Sequence, residues 1–401
     1  MGRFERLEKL MDYFAENTVP GCGCCIMEND EVLFEKYAGL TNLETREKVD
    51  AKTLFRQAST TKLFTYAIMG MLYEEGAFLF SDPVYEYLPE WRNTKKWIQT
   101  PGGVQIVPVG RPITIMDAAT MRCGLPYCMM PDFHATDPTY LGMSRQMERL
   151  NAMESHTIRD EVRAMAEVPI AFEPGTHWLY GFGSEIIGAV LEEITGKKVR
   201  ELFAERIIEP LGLKDSLTYH DEESHKRMVT LYGKDSEGHF CRPEVDFDAA
   251  TDPEKTVPGA RCSLLSTPHD FAVFMQMLAN GGSYKGIRLL SEGTVQMLHS
   301  NCLNAAQLKD FNCDYLAGYG YGYGFRTLMD KGAGSHNGSV GAFGWTGGFG
   351  TWAEADPVRK LSLVYMHNMV PNEERYHHLR FRNTAYACIG AAENQKQQET
   401  L

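Results

Sequence analysis

The sequence has no run of 18 consecutive apolar residues, so it offers no membrane-spanning helix. Positive charge is in short supply. Lys plus Arg number 40 against 53 Asp plus Glu, a net charge of −13. A chain this acidic is a poor general ligand for nucleic acid or anionic membrane, so neither is expected as a partner. The opening MGRFERLEKLMDYFAEN places charged and apolar residues at helical spacing and lacks the continuous apolar segment of a signal peptide. A cytoplasmic location is therefore expected. No internal repeat, low-complexity tract or clear linker divides the 401 residues.

Several chemical signatures are also missing. The 12 histidines include no His-Glu-x-x-His. No Gly-x-Ser-x-Gly is present, which removes the nucleophile elbow of the α/β-hydrolases. Gly196-Lys197-Lys198 lacks the upstream Gly and following Ser/Thr of a phosphate loop, and the Gly-Tyr run at 318–324 has the wrong spacing for a dinucleotide fingerprint. Ten cysteines occur, at 22, 24, 25, 123, 128, 241, 262, 302, 313 and 388. Cys22, Cys24 and Cys25 sit in an apolar stretch that reads as a strand. No second cluster has zinc-ligand spacing, and Cys123 with Cys128 has no partner pair. Reduced, mostly buried thiols follow, with no metal and no cofactor expected.

What is present is globular: 43% hydrophobic and 23% charged residues. Residues 4–17 read as an amphipathic helix, and 20–28 with 31–38 as a hairpin across Glu28, Asn29 and Asp30. A short run at 53–56 leads into a mostly buried helix over 58–75. Helical segments broken by loops follow from about 80 to 250, among them 113–120, and 183–195 stopped by Gly196. Another helix is expected over 268–279, a strand over 360–367 and a last helix over 376–392. Strands at both ends with helices between imply an α/β (α+β) unit. An antiparallel sheet flanked by helices, from residues 1–75 and 255–401, carries a mostly helical lobe at 76–254.

Three stretches can carry chemistry. In Ser59-Thr60-Thr61-Lys62, helical spacing lets the Lys62 amine reach the Ser59 hydroxyl. A serine needs such a base to become a nucleophile, and a helix start aims free N–H groups at a developing oxyanion. Otherwise Ser59 is a cap and Lys62 a solvated cation. In His177-Trp178-Leu179-Tyr180-Gly181-Phe182, the Tyr180 phenol can relay a proton beside a lysine, or be a core tyrosine. In Trp345-Thr346-Gly347-Gly348, paired glycines permit close backbone approach to a ligand, or mark a bulge. His336 lies nearby in sequence and is a candidate to line the same site.

Taken in order, these stretches resemble the three signatures of the serine β-lactamase and penicillin-binding-protein superfamily. Ile113-Thr114-Ile115-Met116-Asp117 with Cys123-Gly124-Leu125-Pro126, Phe172-Glu173-Pro174-Gly175 and Leu265-Ser266-Thr267-Pro268-His269-Asp270 resemble its intervening segments, so the likeness runs from about 20 to 390. The class C β-lactamase-like branch is most similar, with two departures. Phe182 replaces the asparagine of Tyr-x-Asn, and Trp345 replaces the lysine of Lys-Thr-Gly, as in family VIII carboxylesterases. The resemblance implies an esterase-like serine hydrolase acting on a small-molecule ester or amide. Ser59 would form the acyl-enzyme, and Lys62 and Tyr180 would handle its proton. The backbone N–H groups of Ser59 and Gly348 would bind the oxyanion, and Trp345, Thr346, Gly347, Phe182 and His336 would contact substrate. A D-amino-acid peptidase or amidase, an acyltransferase, and a catalytically silent binding protein are the alternatives. The sequence is silent on oligomeric state.

Overall fold

The computed structural model describes residues 2–128, 137–219, 221–244, 260, 263–312 and 314–399. Cys262, Cys313 and the expected boundary at 254/255 fall outside them. The elements that matter here are, in chain order, α1 (Glu5–Asn17), β1 (Gly21–Glu28), β2 (Glu31–Gly39), β3 (Phe55–Arg56), α2 (Thr61–Glu74), β4 (Lys95–Thr100), β5 (Gly103–Pro108), α3 (Gly183–Thr195), β6 (Leu265–Ser266), α4 (Pro268–Ala279), β7 (Tyr319–Tyr321), β8 (Arg326–Leu328), β9 (Phe343–Thr346), β10 (Trp352–Asp356), β11 (Leu361–His367) and α5 (Glu374–Glu399).

Seven of these strands make one antiparallel sheet in the order β7-β8-β9-β10-β11-β1-β2. The two ends of the chain meet inside it, with β1 against β11 from Cys22↔His367 to Glu28↔Leu361. Side chains alternate across a strand, so β1 serves two cores. Cys22, Cys24 and Ile26 pack with Leu363 and Tyr365 against Leu7, Met11 and Phe14 of α1 and Phe381 of α5. Cys25 and Met27 face the opposite way, into a core with Phe271 and Phe274 of α4 and Phe64 of α2. All three β1 cysteines are therefore buried free thiols, and burial pushes Cys22 up to about 12. Loss of a ring such as Phe14 from such a core costs about 3–5 kcal/mol.

The chain on either side of the long middle segment is brought together where β3 pairs with β6 through Phe55↔Ser266 and Arg56↔Leu265. Beyond that pairing, Phe64 of α2 packs on Phe271 and Phe274 of α4, with ring centroids 5.8 and 4.2 Å away. Within the lobe α3 ends at Gly196 as expected, in the left-handed conformation at φ +68°. Residues 95–108, expected among helices and loops, instead form the β4–β5 hairpin. Pro101-Gly102-Gly103 supplies its turn, and Trp97, Ile98, Val104, Ile106 and Val107 are strand formers. A second small sheet joins Tyr232–Lys234 and Phe240–Cys241 to Met369–Val370, just beyond β11. Among the described residues no helix is long and apolar enough to cross a membrane.

Candidate active site

The expected helix over 58–75 begins with a single 3-10 turn, Ala58–Thr60, before α2 takes over at Thr61. Ala58 sits at φ +46°, a conformation that is strained for any residue with a Cβ. Non-glycine residues held this way cluster at functional sites, where the surroundings over-determine them. The sharp bend turns Ser59 outward. Across residues 53–72 every residue is buried except Ser59.

One turn along α2, the Lys62 Nζ donates to Ser59 Oγ at 2.9 Å. Lys62 is only 1% exposed. Its Nζ lies over two rings, 5.1 Å from the centroid of Tyr180 and 5.5 Å from that of Tyr127. The solvated-cation reading of Lys62 is thereby excluded.

Tyr180 is delivered by a short bridge between the lobe's own segments. Pro126 pairs with Gly181, and the Phe182 N–H donates to the Leu125 carbonyl at 3.0 Å. A Cβ at residue 181 would fall 1.8 Å from that carbonyl oxygen, which is why glycine follows the tyrosine. Trp345 at the end of β9 donates its indole N–H to Tyr180 Oη at 2.9 Å. Trp178 stacks on the other side, with ring centroids 6.2 Å apart. Tyr321 stands edge-on to both tryptophans, at 5.3 Å from Trp345 and 5.6 Å from Trp178.

The glycines after β9 are used differently from each other. A Cβ on Gly347 would lie 2.1 Å from Thr351 Oγ1 and 2.3 Å from the Gln57 carbonyl oxygen. The Thr351 hydroxyl also donates to that carbonyl at 2.9 Å, and the Thr60 hydroxyl donates to it at 2.7 Å. The turn after β9 is thus clamped onto the residues flanking Ser59. Gly348 is exposed, and a Cβ there would meet nothing within 4 Å. Behind the turn, His378 donates to the Gly350 carbonyl at 3.1 Å and Asn372 to the Gly347 carbonyl at 3.4 Å.

Ser59, Lys62, Tyr180, Trp345 and Gly347 are therefore brought together, with Gly348 at the open edge. Three expected substrate contacts are corrected. Phe182 is fully buried and packs on Tyr127 at 4.8 Å, so it supports a site ring instead of meeting substrate. Thr346 follows Trp345 in the strand and so faces the opposite side, where it is buried. His336 bonds Glu354 at 3.1 Å and accepts the Gly338 N–H at 2.8 Å. Glu354 lies one residue beyond Ala353, the register partner of Trp345, and meets Tyr386 of α5 at 3.0 Å. His336 is consequently on the far face of the sheet, in a buried polar network. Sequence proximity had suggested otherwise.

His177 and Trp178, adjacent in sequence, also part company, since His177 points outward to Asp310 at 3.0 Å. The sequence reading missed Tyr127, Thr351 and Gln57. Tyr127 directly follows the Leu125-Pro126 segment, and that adjacency was the available signal. Beside Tyr180 the hydroxyls of Tyr66 and Tyr321 are buried with no partner among the described residues. Burial pushes both phenols far above their ordinary range, with Tyr180 adding to it, so both stay neutral.

A serine hydrogen-bonded to a buried lysine at a helix start, a tyrosine against a Trp-x-Gly strand, and helices packed on an antiparallel sheet define a serine-hydrolase architecture. A family model described as Beta-lactamase matches residues 5–387, and the chain belongs to that family. Protein Rv1367c of Mycobacterium tuberculosis is 26% identical over 358 residues, covering 88% of this chain and 86% of that one. Esterase EstB of Burkholderia gladioli is 26% identical over 217 residues, 52% of this chain and 50% of that one. Among solved structures, EstCE1, a hydrolase with promiscuous acyltransferase activity, superposes with a TM-score of 0.80 at 20% identity, covering 96% of this chain and 98% of that one.

Proposed function

We propose that this Beta-lactamase-family hydrolase is an esterase-like enzyme that works through an acyl-enzyme on Ser59. The observation that carries the proposal is the 2.9 Å hydrogen bond from the buried Lys62 to the partly exposed Ser59 hydroxyl. Ser59 Oγ attacks the ester carbonyl carbon while Lys62 and Tyr180 between them take its proton. The oxyanion is received by the Ser59 and Gly348 N–H groups. The proton passes to the leaving alcohol as the C–O bond breaks. Water then attacks the acyl-enzyme and releases the acid.

The Trp345 indole N–H on Tyr180 Oη offsets negative charge that develops on the phenol during this relay. Trp178 and Trp345, backed by the fully buried Tyr321, give the site an aromatic side, which suits a small apolar acyl group. Trp345 supplies no cation for a substrate carboxylate, which weighs against β-lactam and peptide-carboxylate substrates. Esterase EstB supports the esterase reading by its name, and EstCE1, described as a hydrolase with promiscuous acyltransferase activity, supports acyl chemistry on this fold.

Intact-mass spectrometry after incubation with a fluorophosphonate tests the proposal, beside a Ser59→Ala control and a series of p-nitrophenyl esters. One phosphonyl adduct on the wild type alone, with turnover of short-chain esters, is expected. An adduct that survives in the control, or none on the wild type, overturns it.

A further inference from the structure

Away from Ser59, three potential metal ligands from distant parts of the chain converge on one point. Cys25 of β1 and Glu35 of β2 are register partners, so their side chains share a face. The Cys25 Sγ lies 3.4 Å from Glu35 Oε1. His269, the second residue of α4, brings Nδ1 onto the same carboxylate oxygen. The three ligand atoms all lie within 4.8 Å of one another. Among the described residues this is the group of three or more His, Cys, Asp or Glu side chains so arranged.

We infer that Cys25, Glu35 and His269 form a binding site for one thiophilic divalent cation of the zinc type, with water as the fourth ligand. A tetrahedral ion at about 2.3 Å from sulfur and about 2.0 Å from oxygen holds those two atoms roughly 3.5 Å apart. The observed 3.4 Å fits without movement of either strand, and the His269 ring, now in direct hydrogen-bond contact with Glu35 Oε1, swings back by about 1 Å to admit the ion. The mixed sulfur, nitrogen and oxygen donor set excludes calcium and magnesium, which take oxygen ligands.

The surroundings agree. Cys25 is fully buried, while the Glu35 and His269 side chains are 27% and 42% exposed. The thiolate would thus sit at the floor and the open coordination position would face solvent. Tyr37, two residues beyond Glu35 on the same face, has a buried hydroxyl with no partner among the described residues. Its ring lies beside Pro268, the neighbour of His269, since both crowd the position a Cβ on Gly23 would take. It is placed to bond the bound water or a ligand oxygen, as metal sites commonly require.

On binding, the Cys25 thiol loses its proton to solvent and sulfur donates a lone pair to the ion. His269 must offer the Nδ1 lone pair, so the proton it shares with Glu35 leaves or moves to Nε2. No electron is transferred. The ion would tie the edge strand β2 to the start of α4, and its free energy of binding would add to that of folding. Residues 10 and 234 positions apart give no spacing motif, which is why the sequence showed no metal site.

Chelator-treated protein titrated with Co²⁺, and separately with Zn²⁺, tests the inference. The expected result is one Co²⁺ per chain, a near-ultraviolet thiolate-to-cobalt charge-transfer band and a Zn²⁺-dependent rise in Tm. Cys25→Ser should lose the band. His269→Asn, at a partly exposed side chain that leaves the fold intact, should weaken binding at least tenfold. Fluorophosphonate labelling of Ser59 should be the same with and without metal, which separates this site from the proposed hydrolase chemistry. Absence of the band in wild type, or a band and stoichiometry unchanged in both variants, overturns the inference.

Discussion

Trp345 and Tyr180 are joined by an indole-to-phenol hydrogen bond of 2.9 Å, which ties the end of strand β9 to the segment that carries Tyr180. A lysine at this position would present a charge to substrate. The indole instead spends its donor on the protein. Trp345→Phe keeps most of the ring and removes the donor. Hydrogen bonds to charged groups contribute about 1.5–3 kcal/mol, so kcat on a short-chain ester should fall roughly 10- to 100-fold with KM nearly unchanged. A change confined to KM would make Trp345 a substrate contact and remove it from the proton relay.

Lys62 gives a cleaner separation of chemistry from stability. It is 1% exposed and lies among the core residues of α2. Lys62→Met fills the same space without a charge, and replacing a buried charge by a fitted apolar group is often neutral or stabilising. Turnover should drop by about 10²–10⁴, the usual contribution of a positioned base, while Tm holds or rises. Ester turnover within threefold of wild type in a well-folded Lys62→Met protein would sink the assignment.

Much of this site was legible because its determinants are local. Ser59 and Lys62 are one helical turn apart, and the bend at Ala58 follows directly from the short β3 strand before it. That the two ends of the chain share one sheet was legible as well, since strands read at both ends with helices between, whereas the pairing of β1 with β11 in particular was not. What could not be read is facing. Thr346 and His336 are close to Trp345 in sequence, yet strand alternation and the path of residues 329–342 put both on the other side of the sheet. Phe182 follows the same logic, because its burial depends on Tyr127, 55 positions earlier. The β4–β5 hairpin is a different failure. Its Pro-Gly-Gly turn was visible, but its surroundings were all helical.

The two glycines after Trp345 should respond oppositely to alanine. Gly347→Ala drives a Cβ to 2.3 Å from the Gln57 carbonyl, and backbone cannot step aside as a flexible side chain can. Overpacking of this kind costs about 1–3 kcal/mol and displaces Ser59 from the turn, so Tm and turnover fall together. Gly348→Ala adds a methyl to open space and should leave both within a few-fold of wild type. Gly348→Pro removes the N–H itself, and loss of one oxyanion donor costs about 10²–10³ in kcat. Equal activity for the alanine and proline variants at 348 would show that this N–H takes no part.

The last prediction concerns acid. His367, His377 and His378 pack against one another behind the turn after β9, with ring centroids of His367 4.7 Å from His377 and 6.3 Å from His378. Burial lowers all three, His377 to about 4 and His378 to about 3, with Lys234 also disfavouring charge on His367 and His377 and Arg326 on His378. In the unfolded chain each takes a proton near 6.5, whereas the folded protein stays unprotonated there until much lower pH. The unfolded state therefore binds more protons as pH falls, and stability is lost from about pH 6.5 downward, by a few kcal/mol for each histidine near pH 4. Asp270, pushed up to about 6 mainly by burial, works the other way and regains stability over part of that range. Three sites outweigh one, so urea unfolding at pH 7 and pH 4.5 should show a net loss at the lower pH. His378→Gln, which can keep a donor to the Gly350 carbonyl, should flatten that dependence, and an unchanged slope in the variant would remove His378 as its source.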